Sequence, residues 1–349
     1  MQDFWDGRSV FLTGHTGFKG GWLALWLGEL GAEVYGYALD PPSSPSFYNT
    51  TRVADRLQAS TIADIRDFCG LACAMKQASP SVVFHMAAQS LVRDSYIRPV
   101  DTYSTNVQGT VNVLEACRQT ESVRAVVNIT TDKCYENREW VWPYREHDRL
   151  GGEDPYSSSK ACAELVAAAY DKSFYSEANI HLANVRAGNV IGGGDWAKDR
   201  LIPDFMRAFD SGETLFIRSP TATRPWQHVL EPLSGYLKLA ERLVMDRNQF
   251  SGAWNFGPDD SDSATVAHVL QHLQNKAPQL RWQSASATNL SEANTLKLDS
   301  AKAKTNLGWK PRWSLDIALD KTIEWYQAWR EDQPMTEFSI EQIRAYQAP

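Results

Sequence analysis

Short apolar runs alternate along the first half of the chain with longer segments in which apolar residues recur at helical spacing. The apolar runs predict buried strands at 10–13, 34–39, 81–86 and 124–129. Helices are predicted between them, notably at 21–30, 106–119 and 156–175. Because strands and helices alternate, we expect right-handed crossovers and an α/β fold with a doubly wound parallel sheet.

The composition is that of a globular protein, with 43% hydrophobic and 22% charged residues among 349. A formal net charge of −7 makes the chain a poor general binder of nucleic acid. The N-terminus lacks the features of a signal peptide, and no apolar run approaches the ~20 residues of a membrane span. We therefore expect a cytoplasmic protein with neither nucleic acid nor membrane as a partner.

The five cysteines are odd in number and irregularly spaced, which is not the pattern of a disulfide framework. Cys69 and Cys73 could share a helix face. Without a nearby histidine or further cysteine they make a weak metal site, so we predict buried core thiols and no metal. The 13 tryptophans are expected mostly to fill the core or to line a cleft.

A glycine-rich turn containing Gly14, Gly17 and Gly20 lies between the first predicted strand and the first predicted helix. The first glycine permits a tight turn, the second lets the backbone approach a pyrophosphate, and the third permits close packing of helix and strand. The helix N-terminus then faces the anion. This strand–turn–helix context predicts a dinucleotide site.

Acidic residues beyond the next strands predict which dinucleotide is bound. Asp40 follows the second strand and can accept hydrogen bonds from the ribose hydroxyls, whereas it would repel a 2′-phosphate. No arginine follows until Arg52, so the pattern favours NAD over NADP. Asp64 and Ile65 follow another possible strand end and could border the adenine.

The regular alternation of strands and helices loosens after about residue 180. Residues 188–194 contain four glycines, and short irregular segments rich in Pro, Gly and Trp follow. We predict a Rossmann-type NAD-binding domain over residues 1–183 and mainly a smaller C-terminal substrate-binding domain over 184–349. A segment near 225–255 is expected to return to the main sheet.

Two short motifs carry candidate chemistry. Tyr156 and Lys160 are four residues apart and share a helix face, and a nearby ammonium lowers the pKa of a phenol so that it can accept a proton. Thr131, Asp132 and Lys133 follow a predicted strand, where the catalytic groups of open α/β sheets gather. Together the motifs predict a redox enzyme that also moves protons within its substrate.

An ordered series of segments carries a family resemblance along essentially the whole chain. The segments are GHTGFKGGWL, HMAAQSLVRDSY, TTDKCYEN, YSSSK, RAGNVIGGGDWAKDRLIPD, RPWQHVLEPLSGYL and WNFGP. The series resembles the extended short-chain dehydrogenase/reductase family, and within it the branch of nucleotide-sugar 4,6-dehydratases that acts on CDP-glucose. The resemblance extends the expected NAD site to Phe18, Ala87 and Ala88.

The resemblance implies a lyase reaction in which NAD is reduced only transiently. Tyr156 removes the proton of the glucose 4-hydroxyl while hydride passes from C4 to NAD, and Thr131 hydrogen-bonds the reacting hydroxyl. Water is then lost across C5 and C6, with Asp132 as the general acid, and hydride returns to C6. The product is CDP-4-keto-6-deoxy-D-glucose. The resemblance also implies a homodimer or higher homo-oligomer and a supply of deoxysugar for O-antigen.

Lys133 departs from the family pattern, because better-known relatives carry a glutamate there that removes the C5 proton. An ammonium cannot act as a base, so Lys133 could do so only if burial or the charge of Lys160 removed its proton. It could instead stabilise the developing enolate, or pair with a phosphate or an acid. The sequence leaves these three roles open.

The resemblance also names candidate substrate contacts. Gln89 and Ser90 are expected beside the nicotinamide and the hexose, and Asn189 at the nucleotide sugar. Arg200, Arg224 and Asn255 match positions that meet the diphosphate or nucleoside, and arginine suits a diphosphate because it donates paired hydrogen bonds.

Two other readings compete with the dehydration of CDP-glucose. A nucleotide-sugar epimerase, or a dehydratase acting on dTDP- or UDP-glucose, would share most of these motifs. Epimerases usually carry small neutral residues where this chain has Asp132 and Lys133. A non-catalytic NAD-binding protein is the third reading, and the intact Tyr156, Lys160 and Thr131 count against it.

Overall fold

The fold was analysed in a computed structural model that describes residues 2–246, 249–259, 262–277, 281–284 and 296–348. Within these ranges, a seven-stranded parallel sheet forms the centre of the molecule, in the order β11-β6-β5-β4-β1-β2-β3. Its strands are β1 (Ser9–Thr13), β2 (Glu33–Ala38), β3 (Ala59–Ile62), β4 (Val82–His85), β5 (Ala125–Ile129), β6 (His181–Ala187) and β11 (Gly252–Phe256). The predicted doubly wound α/β fold is confirmed.

Six shorter strands pair in twos outside the main sheet. They are β7 (Val190–Ile191) with β10 (Gln227–His228), β9 (Thr223–Pro225) with β12 (Ser263–Thr265), and β8 (Thr214–Ile217) with β13 (Arg281–Ser284). All six lie in the second half of the chain, where the sequence pattern loosens.

Helices cover both faces of the sheet. They are α1 (Gln2–Trp5), α2 (Phe18–Glu29), α3 (Phe47–Thr50), α4 (Phe68–Ala78), α5 (Val92–Ile97), α6 (Pro99–Tyr103), α7 (Gly109–Arg118), α8 (Pro155–Tyr170), α9 (Ser176–Ala178), α10 (Leu201–Ser211), α11 (Leu230–Met245), α12 (Val266–Lys276), α13 (Ala301–Asn306), α14 (Leu315–Arg330) and α15 (Met335–Gln347). The chain also contains 3₁₀ turns at Val53–Arg56 and Asp132–Cys134, and π-helical turns at Ser104–Gln108 and Asp171–Tyr175. In the described ranges, none of the helices is both long and apolar enough to cross a membrane.

Alternate residues of each strand enter two separate cores, as the period of a strand requires. Val10 and Leu12 of β1 pack into the core shared with α2, α11 and α14, while Phe11 between them packs with α4 and α7. Both faces are therefore dry, which explains why the strands read as continuous apolar runs. Five tryptophans are among the largest fully buried side chains, namely Trp5, Trp22, Trp26, Trp254 and Trp325.

The second half of the chain contributes to the main sheet through its last strand. β11 pairs in parallel with β6, and α11 packs against β5 and β6. The predicted boundary between residues 183 and 184 falls inside β6, because this strand continues to Ala187. A division at that point would split a buried strand of the sheet.

The prediction of buried thiols for Cys69 and Cys73 is wrong, because both residues are exposed on α4. That helix buries Leu71, Met75 and Ala78, so the two cysteines lie on its outer face. Cys117 and Cys134 are the buried thiols among the five cysteines.

Candidate active site

The glycine-rich turn joins β1 to α2 at the carboxyl edge of the sheet. Gly14 has a φ of +79°, and a Cβ on it would lie 2.7 Å from the backbone nitrogen of Ala87. A Cβ on Gly20 would collide with the carbonyl oxygen of Gly14. A Cβ on Gly17 would meet only that same oxygen, at an ordinary 3.4 Å. The protein itself therefore requires glycine at 14 and 20, whereas at Gly17 it leaves room for something else.

The amino end of α2 is open to an anion. Gly17 is the N-cap, and no side chain accepts a hydrogen bond from the first turn of this helix. Free backbone N–H groups at a helix N-terminus bind phosphates well. Phe18 begins the helix, and its ring lies under Gly192 of the second half of the chain.

The acidic residues predicted to contact the adenosine differ in their surroundings. Asp40 is exposed two residues beyond the end of β2. Asp64 accepts hydrogen bonds from the Arg66 guanidinium at 2.6 and 2.9 Å, and this contact lowers the pKa of the Asp64 carboxyl. Ile65 is buried, and its carbonyl accepts from the Asn112 amide at 2.9 Å.

A buried polar chain holds the loop after β4. The Thr13 hydroxyl accepts from the backbone nitrogens of Met86 and Ala87, so its own proton goes to Nδ1 of His85 at 2.8 Å. Nε2 of His85 then donates to Thr110, whose hydroxyl proton is used on the Asn106 carbonyl. Burial lowers the pKa of His85 to about 3, so its ring is neutral and has a structural role.

Gln89 and Ser90, predicted to contact the substrate, lie in this loop. The Gln89 amide donates to the Leu91 carbonyl and to Thr102, both at 3.0 Å, and its oxygen accepts from the Leu91 nitrogen. The side chain therefore holds the loop together instead of reaching into the cleft. Ser90 is exposed beside it. Asn106 connects the loop to α8, because it bonds the Gln89 backbone and the Ser159 hydroxyl.

Thr131, Asp132 and Tyr156 come together just beyond the end of β5. The Thr131 hydroxyl donates to an Asp132 carboxylate oxygen at 3.0 Å, and Thr131 also lowers the pKa of the Tyr156 phenol. All three residues are buried. Burial is the main reason why the pKa of Asp132 is raised, which favours a protonated acid, and Lys133 and Arg224 oppose it.

Lys160 does not lower the pKa of Tyr156 as the sequence predicted. Its ammonium donates instead to the Ile129 carbonyl at 3.0 Å. Burial raises the pKa of Tyr156 to about 12, although Thr131 and Arg200 pull it down. Burial also lowers the pKa of Lys160 to about 8, while Glu164 acts in the opposite direction.

A buried ion pair supports Lys160 from below. Glu164 accepts from Nε of Arg186 at 2.7 Å, from the second arm of the same guanidinium, and from Thr130 at 2.6 Å. Arg186 also donates to the Tyr135 hydroxyl at 2.6 Å. Side chains of both partners are at most 3% exposed. The helical spacing of 156, 160 and 164 could have revealed Glu164 as a member of the site, and we did not predict it.

Two lysines flank the acid in opposite environments. Lys133 is exposed. Lys19, within the glycine-rich turn, directs its ammonium to the Tyr236 hydroxyl at 3.4 Å. Burial lowers the pKa of Lys19 to about 7, with Arg200 and Lys160 acting in the same direction and Asp132 against them. Sequence reasoning missed Lys19, although it lies between two of the glycines it singled out.

Three of the predicted substrate residues lie in the neighbourhood of Asp132 and Tyr156. Asn189 lies in the loop after β6, where the neighbouring Gly188 backs directly onto Asp132. Arg200 precedes α10 and pairs with the buried Asp195 at 2.8 Å. Arg224 is on β9, close enough to Asp132 to act on its pKa. Cationic groups thus surround a single buried acid.

Asn255 is placed differently from its prediction as a substrate contact. It is completely buried in β11, and its side-chain oxygen accepts from the Tyr135 hydroxyl at 2.8 Å. Its amide donates to the carbonyls of Tyr144 and Asp299. Both ends of the Asn255 side-chain amide thus bond other residues of the chain, so Asn255 supports the wall of the site.

Comparison with known proteins places this architecture among nucleotide-sugar enzymes. A family model described as GDP-mannose 4,6 dehydratase matches residues 11–322. The CDP-glucose 4,6-dehydratase of Salmonella typhimurium is 52% identical over 351 residues, covering 99% of this chain and 98% of that protein. A UDP-glucose 4-epimerase of Lacticaseibacillus casei is 26% identical over 78% of this chain and 83% of its own length.

Solved structures share the fold. MoeE5 in complex with UDP-glucuronic acid and NAD superposes with a TM-score of 0.77 and 25% identity, covering 91% of this chain and 99% of that one. The UDP-glucose 4-epimerase of Thermotoga maritima gives a TM-score of 0.78 at 23% identity, with 92% and 99% covered. Since the family model spans most of the chain and the Salmonella relative is similar over nearly its full length, the chain belongs to the GDP-mannose 4,6-dehydratase family of extended short-chain dehydrogenases/reductases.

Proposed function

We propose that this chain is an NAD-dependent lyase that converts CDP-D-glucose to CDP-4-keto-6-deoxy-D-glucose and water. The observation that carries the proposal is Asp132, a buried carboxylic acid that accepts a hydrogen bond from Thr131 and acts on the pKa of Tyr156. Oxidation at C4 or epimerisation there requires no proton at the 6-hydroxyl, whereas a dehydratase must protonate that leaving group. The identity to the Salmonella CDP-glucose 4,6-dehydratase supports the choice of substrate.

The residues of the glycine-rich turn fit NAD. Gly14, Gly17 and the open end of α2 would hold its pyrophosphate, and Asp40 its adenosine ribose. Phe18, Asp64, Ile65, Ala87 and Ala88 would border the rest of the cofactor. When bound, NAD accepts a hydride from C4 of the sugar and later supplies it to C6.

Tyr156 would act as the base on the sugar 4-hydroxyl. Its high pKa in this structure must fall when the site is loaded, and Arg200 is the cation that already lowers it. Thr131 would orient the hydroxyl. Lys160 would bind the nicotinamide ribose from its position one helical turn after Tyr156.

Asp132 would protonate the leaving 6-hydroxyl, and Thr131 would restore that proton. Over the whole reaction, Tyr156 gains the proton of the 4-hydroxyl, and Asp132 loses one to the departing water. The Thr131 hydroxyl donates to the carboxylate and acts on the pKa of the phenol, so it could accept the proton of the phenol and pass its own to the carboxylate. One such transfer returns the site to its initial state.

Lys133 is the weak link in the removal of the C5 proton. An exposed ammonium is poorly suited to be a base, so we assign to Lys133 the stabilisation of the enolate that develops at the 4-keto group. Water could carry the C5 proton away along the open side of the cleft. Asn189, Arg200, Arg224 and Ser90 would contact the sugar and its diphosphate, while Gln89 and Asn255 would support the walls.

We further propose a homodimer or higher homo-oligomer that supplies deoxysugar for O-antigen in the cytoplasm. Tyr96, Ile97 and Val100 on α5 and α6 lie beside Leu165 of α8, and they are 47%, 76%, 79% and 61% exposed. An apolar face of this kind is typical of a subunit contact. Sedimentation of the wild type and of an Ile97→Asp variant would test it, since a monomer in both would exclude this interface.

The function is tested by incubating the purified protein with CDP-glucose in heavy water. A 4-keto-6-deoxy product carrying deuterium at C5 is expected. A 4-epimer without deuterium would instead identify an epimerase, the second candidate. A wild type that turns over no sugar nucleotide, and so does not differ from a Tyr156→Phe variant, would identify a non-catalytic protein. Parallel reactions with UDP- and dTDP-glucose decide which base is accepted.

A further inference from the structure

Lys19 is a charged residue that neither the glycine motif nor the proposed chemistry uses. It is the second residue of α2, between Gly17 and Gly20, where the backbone has been left open for a pyrophosphate. Its side chain leaves the turn and extends along the cleft to Tyr236 on α11, with 3.4 Å between the ammonium and the hydroxyl. The ammonium also lies 5.5 Å from the centre of that ring.

No carboxylate within the described residues forms an ion pair with this ammonium. Tyr236, its hydrogen-bonding neighbour, is fully buried. The titratable groups that act on Lys19 are Arg200 before α10, Lys160 on α8 and Asp132 after β5. Two of the three are cations, so a charged Lys19 increases an existing excess of positive charge.

The position of Lys19 follows the course that a bound dinucleotide must take. Its pyrophosphate belongs at the amino end of α2, and its nicotinamide ribose at Tyr156 and Lys160. The side chain starts at this helix terminus and ends at Tyr236, and the charges of Lys160 and Asp132 act on its pKa. Its ammonium is therefore within electrostatic reach of the residues that would hold the reacting ring.

We propose that Lys19 contacts the nicotinamide end of NAD and that its positive charge favours the reduced ring over the oxidised ring. The proposal rests on NAD as the cofactor of the proposed function, and it adds no bond to the reaction. The oxidised ring carries a positive charge and the reduced ring does not, so an adjacent ammonium repels only the former. The diphosphate is common to both forms, and its attraction to Lys19 cancels in their comparison.

The charge of Lys19 changes near neutral pH, because burial lowers its pKa to about 7. Below that pH the ammonium should make the oxidation of the sugar C4 easier. Above that pH the amine is neutral and should no longer favour the binding of the reduced ring over that of the oxidised ring. A buried methionine would have the same length without the charge, and an arginine would keep the charge at every accessible pH.

The test is the ratio of the dissociation constants of NAD and NADH, measured on the protein without sugar. NADH is titrated by its fluorescence, and NAD by competition. At pH about 6, the ratio for NAD over NADH should be roughly tenfold lower in Lys19→Met than in the wild type, the effect of about one pKa unit of repulsion. At pH about 9 the two proteins should agree. Lys160 titrates in every variant, so comparison at equal pH removes its contribution.

Two variants complete the experiment. Lys76→Met removes an exposed lysine on α4 and should leave the ratio unchanged. Lys19→Arg should keep the high ratio even at pH about 9, and this variant decides the question if Lys19→Met does not fold. Equal weakening of both cofactors in Lys19→Met would show that Lys19 serves only the diphosphate, and two unchanged dissociation constants would remove it from the site. Because no sugar is present, failure to turn over CDP-glucose would overturn the proposed function and leave this result standing.

Discussion

Glu164 lies one helical turn beyond Lys160 on α8, and its carboxylate is paired with Arg186, not with the lysine. Glu164 nevertheless raises the pKa of Lys160 against the effect of burial. The ion pair therefore acts on the catalytic region indirectly, through Lys160, and has a positioning role.

Replacing Glu164 by Gln should destabilise the fold by about 3–5 kcal/mol, because it leaves the buried Arg186 without its counter-charge. It should also lower the pKa of Lys160 further, so the alkaline limb of the kcat profile should move to lower pH. Chemical denaturation and a pH–rate profile measure the two effects. Glu115→Gln, which breaks the exposed pair with Arg118, should change stability by less than about 1 kcal/mol.

Asp132→Asn should separate the oxidation of the sugar from the loss of water. An amide keeps the shape of the side chain and cannot donate the proton that the leaving hydroxyl needs, so kcat for dehydration should fall by about 10²–10⁴. NADH absorbance should still appear when CDP-glucose is added. An Asp132→Asn protein that releases the 4-keto-6-deoxy product at the wild-type rate would contradict the acid role.

Thr131→Ser should retain most of the activity and Thr131→Val should lose it. Serine keeps the hydroxyl that bonds Asp132 at 3.0 Å and lowers the pKa of Tyr156, whereas valine keeps only the shape. If the hydroxyl returns the proton to Asp132, the valine variant should complete a first turnover faster than later ones. Rapid-quench analysis of the first and subsequent turnovers distinguishes this relay from a role in orientation alone, which would slow all turnovers equally.

The structural and the cofactor-binding functions of the glycine-rich turn can be separated with alanine substitutions. Gly20→Ala should destabilise the protein by several kcal/mol, because the new Cβ would collide with the Gly14 carbonyl. Gly17→Ala should fold normally, since its Cβ has 3.4 Å to the nearest atom, yet it should weaken NAD binding. Thermal melting and a cofactor titration of both variants provide the comparison, with each variant serving as the control for the other.

Lys19→Met should stabilise the cofactor-free protein, by an amount that depends on pH. The pKa of Lys19 is about 7 in the folded protein, and the ordinary lysine value of 10.5 applies to the unfolded chain. The unfolded chain therefore binds more protons between these two pH values. Wild-type stability therefore falls as the pH decreases from about 10 to 7, and the methionine variant lacks this slope. Its advantage should reach a few kcal/mol below pH 7 and vanish above pH 10.5. Urea denaturation at several pH values measures it.

Sequence patterns predicted the parts of this molecule that depend on local spacing. Apolar runs located four of the seven strands of the main sheet, and the parallel pairing of β1, β4 and β5 puts the glycine-rich turn and Asp132 at the same edge of that sheet. The direction of a long polar side chain depends on distant neighbours, which spacing does not contain. Gln89 and Asn255 therefore turned inward, and Lys133 outward, in ways that the motifs could not indicate.

Burial and charge pairing were equally hidden. Arg186 belongs to a strand that is buried over nearly its whole length, and its partner Glu164 comes from a helix 22 residues earlier. Cys69 and Cys73 showed the reverse error, because the apolar character of a thiol says little about which face of a helix it occupies.

β11 has a consequence for how a newly made chain matures. β6 has one free edge until Gly252–Phe256 has been synthesised and has crossed back to pair with it. The same strand delivers Asn255, which holds Tyr135 and through it the guanidinium of Arg186. A nascent chain that stops short of residue 256 thus has an exposed sheet edge and an unsupported Lys160 region at once. One strand therefore both closes the edge of the sheet and holds the residues that support the Lys160 region.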